Sequence, residues 1–219
     1  MLHGSHSPGV VGSELIRLLA RLADAPTPAG HPAFAERLGH WLNWTGAISL
    51  SAALNGGPAS PANASAAAVG GEEANFHRVR AALESSIAAG PREEASSPTD
   101  FGPHRRHCLQ QQQLMHDAIG ALRQRLRRAL SLRSPALARL AAIDAAMAPA
   151  IAAQEHSLLS LVPLRLQAHF ERQGRKAPGE AAWLQAFCHD MAWLLRAECE
   201  HRLLPAQGLL DALLTHSPP

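Results

Sequence analysis

The most restrictive feature of this chain is a spacing. Leu109, Met115, Ile119, Leu122, Leu126 and Leu130 mark one face of a helix, and the same period resumes at Leu140, Ile143, Met147, Ile151, Leu158, Val162, Leu166 and Phe170. Steps of three and four keep side chains on one side of an α-helix, whereas a half-buried strand needs steps of two. Between the two runs stands Ser134-Pro135, a capping residue followed by proline at a first helical position. A connection this short makes the two helices antiparallel neighbours. The second arm is nearly 60 Å long if straight, at about 1.5 Å per residue. Pro149 and Pro163 each remove a hydrogen bond and clash one turn back, so kinks are expected. The spacing thus predicts a bundle around a long, proline-kinked antiparallel helical hairpin with a coiled-coil-like seam.

Composition points the same way. Ala and Leu supply about a third of the chain. Tyr is absent and aromatics make up 4%. Strands favour β-branched and aromatic side chains, and helices favour Ala, Leu, Arg, Gln and Glu. An all-α fold follows.

Two low-complexity stretches divide the 219 residues. Residues 55–71 and 90–103 are rich in Gly, Pro and small polar side chains, and read as linkers. The expected organisation is a small N-terminal helical part (1–54), a flexible linker (55–71) and a single amphipathic helix (72–89). A second linker (90–103), a C-terminal hairpin and bundle (104–214) and a tail (215–219) follow. In the first part Ser13 is the expected cap of a helix carrying Leu15, Leu18, Leu19 and Leu22. Pro32 opens a helix with Phe34, Leu38, Trp41 and Leu42, and Thr45 restarts a short one with Ile48 and Leu54. Glu72-Glu73 suits a helix N-terminus. Residues 174–179 are expected as a loop, and Pro205 is expected to end the helix that begins near Glu180.

Twenty basic residues against eighteen acidic give a net charge of +2, too little for a nucleic-acid field over the whole protein. Three cysteines, Cys108, Cys188 and Cys199, form no close pair and suit a reduced cytoplasmic chain. The N-terminus lacks a basic region followed by an apolar one, and the longest uncharged stretch, His40 to Gly71, is broken by Gly and Pro. A soluble, non-membrane-spanning protein is expected.

Motifs that carry chemistry are scarce in this chain. Phosphate-loop, nucleophile-elbow, HExxH and dinucleotide-binding patterns are missing. His104 and Cys108 share a helix face but supply two ligands where zinc normally takes three or four. Cys188 and Cys199 share a face about 16 Å apart along the axis, beyond one ion's reach. No metal, cofactor or catalytic residue is therefore expected, and surface histidines and buried cysteines are the reading. His189-Asp190 looks like the dyad of the all-α HD-type phosphohydrolases, with His156 or His169 and Asp211 as possible completing ligands. Two adjacent letters among packing residues are better explained by chance.

Two features suit contacts with partners. Arg123, Arg125, Arg127, Arg128, Arg133 and Arg139 lie between Asp117 and Asp144 with no acid among them, placing a positive field at the hairpin tip. A solvated helix face, an acidic protein partner, and nucleic acid or anionic lipid are the readings, in that order; no aromatic residue interleaves to stack bases. Trp41 and Trp44 sit one turn apart and serve as core or, if exposed, as interface anchors. Gln110 to Gln113 reads as a surface face.

The segments Ser13–Asp24, Phe34–Asn55, Asp100–Met115, Leu132–Met147 and Leu158–Arg172, in that order, resemble an uncharacterised bacterial family, the domain of unknown function 3348. The resemblance covers most of the chain apart from linkers and ends, and brings no catalytic residue with it. It implies a soluble partner of a cell-envelope assembly, at the periphery of the inner membrane. The sequence reading is a non-enzymatic protein-protein interaction or scaffold protein, with self-association plausible. A nucleic-acid-associated protein using the arginines is the alternative, and an HD-like metallohydrolase the remote one.

Overall fold

A computed structural model describes residues 9–23, 44–55, 66–91, 100–176 and 181–216. All regular structure among these is α-helical: α1 (Gly9–Ala23), α2 (Trp44–Asn55), α3 (Ala66–Ala88), α4 (Gly102–Ser131), α5 (Pro135–Leu159), α6 (Val162–Lys176) and α7 (Ala181–Thr215). The helix expected to open at Pro32 lies outside the described residues, as do positions 56–65, 92–99 and 217–219 of the expected linkers and tail.

Local chemistry sets several boundaries. The Gly102 amide donates to Asp100 Oδ1 at 2.8 Å, which caps α4. The Leu137 amide donates to Ser134 Oγ at 3.2 Å, so Ser134 caps α5 and Pro135 takes its first helical position. Gly90, at φ 68°, closes the end of α3 with its amide on the Ile87 carbonyl. That left-handed conformation is one a side chain with Cβ resists.

Other boundaries depart from the sequence reading. Helix α1 begins at Gly9, so Ser13 lies within it and is not its cap. Helix α3 begins at Ala66, inside the stretch read as a linker, which places Glu72 well past the first turn. The apolar run after Ser134 forms two helices, not one long arm, with a turn at Ser160 and Leu161. Pro163 is the second residue of α6, where a missing N–H has no intrahelical acceptor to lose. Pro149 lies inside α5, and Pro205 lies inside α7 without ending it. Helix α6 continues to Lys176, through the start of the expected loop.

The chain forms two compact units. The first comprises Met1–Pro28, Arg80–Ala118 and Ser160–Leu204. Its core holds Leu15, Leu18 and Leu22 of α1, Leu83 and Ile87 of α3, and Cys108 and Met115 of α4. Leu166 and Phe170 of α6 join Trp183, Phe187, Met191, Leu194 and Leu195 of α7. Helix α1 packs on α6, and Arg172 of α6 donates to the Leu22 carbonyl at the end of α1.

The second unit comprises Ala29–Val79, Ile119–Leu159 and Pro205–Pro219. Phe76, Ile119, Leu122, Leu126 and Leu130 are buried with Leu209, Leu210 and Leu213. Helix α2 packs on α5. In α5 only Leu137, Ala141 and Leu159 are buried, whereas Leu140, Ile143, Met147 and Ile151 of the predicted seam stay half-exposed. Ile48 and Leu54 of α2 are exposed as well. This second unit therefore covers the apolar helix α5 incompletely.

Candidate functional site

The side chains that bear chemistry are placed mainly by α4 and α7. In the first unit, the seam of α4 does not use Leu109, which is exposed. His104, His107, Cys108 and Gln111 are buried there instead. Steps of three and four from Met115 back through Gln111 and Cys108 to His104 continue the apolar face in polar residue types. Buried His104 and His107 depart from the expectation of surface histidines, and buried Gln111 from the reading of the glutamine run as a surface face, while Gln110 and Gln113 are exposed as that reading has them.

His104 is fully buried among rings. Its imidazole centroid lies 5.2 Å from Phe187, edge to face, and 5.5 Å from Phe170, with Phe101 stacked at 6.3 Å. Phe170 also meets Trp183 at 5.0 Å and Phe187 at 5.1 Å. Neither ring nitrogen of His104 has a hydrogen-bond partner among the described residues. Burial, and secondarily the neighbouring His107, push its pKa down, against a smaller opposing pull from Asp100. Burial also lowers His107. Both burials favour the uncharged imidazole, and His104 packs as an aromatic ring.

The first unit also buries a carboxylate. Glu198 accepts from Arg202 Nε at 2.9 Å and from Gln112 Nε2 at 3.0 Å, and is itself fully buried. Gln111 Nε2 donates to Ser86 Oγ at 3.0 Å, tying α4 to α3. Burial, reinforced by Glu198, pushes the Cys108 thiol up to about 12. Cys199 is likewise pushed up to about 12, by burial first and then by Glu200 and Glu84. Those two carboxylates flank Arg80, at 2.6 Å from Glu200 and 2.8 Å from Glu84. Cys188 is half-buried and also raised by burial. A thiol held protonated is a poor nucleophile and a poor metal ligand. Sequence reasoning missed Glu198 and Gln112; their only signal is their register on faces otherwise apolar.

His169 and Asp190 do meet, with Nε2 2.9 Å from Oδ2, while His189 points outward and is exposed. Asp211 takes a hydrogen bond from Gln207 at 2.7 Å, one turn away on its own helix. Among the described residues, no group of three or more His, Cys, Asp or Glu could hold a metal ion.

The six arginines of the predicted patch lie in the second unit. Asp144 of α5 accepts from Arg123 at 2.7 Å and from Arg127 at 2.6 Å. Arg125 is paired at 2.7 Å with Glu72, whose carboxylate is nearly buried. Glu72 thus serves as an ion-pair partner and not as an N-terminal charge. Arg139 donates to the Leu54 carbonyl of α2, Arg133 is half-buried and Arg128 exposed. Acids distant in sequence therefore meet cations that stand in an acid-free run. Trp41 lies outside the described residues, and Trp44 opens α2 with its side chain outside them. By length and composition, the stretch Pro135–Lys176 is long and apolar enough to cross a membrane, and little of its most apolar window is buried.

Comparison with known proteins agrees with the family resemblance. The family described as "Protein of unknown function (DUF3348)" matches residues 1–215. The chain belongs to that family. No curated protein and no solved structure matches it.

Proposed function

We propose that this member of the family is a non-enzymatic protein-protein interaction protein, and that a helix of its partner docks on the second unit along α5. One observation carries the reading. Helix α5 is strongly apolar, yet Leu140, Ile143, Met147 and Ile151 stay half-exposed beside a short helix, α2, whose own Ile48 and Leu54 face solvent. Large apolar side chains left open in one region favour association. A row with Ala between the larger residues suits a helix laid along it.

The reactive groups support a non-catalytic role. Two of the three thiols are buried and held protonated, His104 is packed as a ring against Phe170 and Phe187 while His107 is buried, and His169 is held on Asp190. We infer a partner protein in preference to nucleic acid because Arg123, Arg125 and Arg127 are matched by Asp144 and Glu72, which lowers the positive potential available for phosphates. A soluble state is proposed on similar grounds, since Asp144 sits mid-helix in the apolar stretch with two arginines on it. The family resemblance suggests a cell-envelope assembly as the setting.

Photo-crosslinking from position 147 in living cells tests this reading. A discrete protein adduct from position 147, with none from Arg128 used as the control position, is the expected result. Adducts only to nucleic acid, or only from Arg128, would overturn it.

A further inference from the structure

We infer that the outer face of α6 docks on an anionic phospholipid surface. The buried face of this helix carries Val162, Pro163, Leu166 and Phe170. Leu161, just before the helix, and Leu164 lie on the opposite side and recur with Ala168 and Arg175 at helical spacing. Leu164 is 63% exposed and Leu161 47%. A helix apolar on its core side gains nothing from a second row of leucines in water.

Charge selects the occupant. Arg165, Arg175 and Lys176 are exposed along this side, and Glu171, the acid there, accepts from Gln167 at 3.1 Å. A second copy would set these cations against one another. Leucines flanked by long cationic side chains fit a bilayer interface, where the leucines enter the acyl boundary and the cations reach headgroup phosphates. Arg172, one turn beyond Ala168 on the same side, is held on the Leu22 carbonyl of α1, and Leu161, Leu164, Arg165 and Arg175 around it stay exposed. The inference uses none of the residues of the contact proposed for α5.

Flotation of the full chain with vesicles decides the matter. Vesicles with about 30 mol% phosphatidylglycerol in phosphatidylcholine should carry the protein at low salt, and pure phosphatidylcholine should not. Binding should fall at least about fivefold in about 300 mM salt. Leu161→Ser with Leu164→Ser, and separately Arg165→Gln with Arg175→Gln, should each lower the bound fraction by a similar factor. All four positions are exposed, so circular dichroism should stay unchanged. Failure of the wild-type chain to float, or flotation unaltered by either pair, would overturn the inference. Equal flotation with neutral vesicles would overturn it too, as would a protein ligand on these residues without vesicle binding.

Discussion

The Asp144 carboxylate lies 2.7 Å from Arg123 Nη2, 21 positions away in the chain. The same carboxylate takes Arg127 Nε at 2.6 Å on its other oxygen. One acid on α5 thus answers two cations on α4, and all three side chains are largely withdrawn from solvent. A shared carboxylate of this kind stabilises less through its own Coulomb energy than through the two charges it keeps from being stranded.

Asp144→Ala should therefore destabilise more than a surface substitution does, by about 2 to 4 kcal/mol. Asp144→Asn should cost less, because the amide oxygen still accepts. Urea unfolding of the second unit's transition checks both. A change within about 0.5 kcal/mol for Asp144→Ala would mean that the pairs are solvent-exchanged.

Glu198 makes the corresponding case in the first unit. Glu198→Ala leaves Arg202 and Gln112 facing a buried void and should cost about 3 to 5 kcal/mol. The measurement is thermal unfolding, and the double variant with Arg202→Leu should recover part of the loss.

Acid should weaken the first unit through its buried histidines. His104 and His107 have folded pKa values below the ordinary 6.5 because burial disfavours the charged ring. The unfolded chain takes up protons near 6.5 while the folded one does not. Stability is then complete above that pH and declines as the pH falls from it towards the lowered folded values. His104→Leu should flatten the drop in melting temperature between about pH 7.5 and pH 5.5, while fitting the ring pocket. An unchanged slope would place the titration elsewhere.

Thiol chemistry separates the three cysteines. At about pH 8 a disulfide-exchange reagent should label Cys188 slowly in the native protein. Cys108 and Cys199, both pushed up to about 12, should react only after unfolding. Peptide mapping after timed labelling reads this directly.

The sequence was most legible where apolar spacing and capping agree. Ser134-Pro135 starts α5 as its chemistry dictates, and Phe187, Met191, Leu194 and Leu195 face the core as their period requires. Proline was misread at Pro205, which stays within a continuous helix, and at Pro163, which opens one. A proline's effect depends on where the turn falls, and Ser160 and Leu161 supply a turn that no Gly announces. The candidate site was less legible still. His104 and Gln111 look like surface residues by type, and only their register with Met115 places them inside. Pairing of Arg125 with Glu72 spans 53 positions, which no local pattern can encode.

The central claim is that the open apolar seam of α5 binds another protein. Its most direct test is affinity capture from host lysate, with and without nuclease, using the wild-type chain and a Met147→Gln, Ile151→Gln variant that retains its helical content. Capture of the same protein partner with and without nuclease, lost in the variant, is the predicted result. Partners that disappear on nuclease treatment, or that the variant keeps, would contradict the claim.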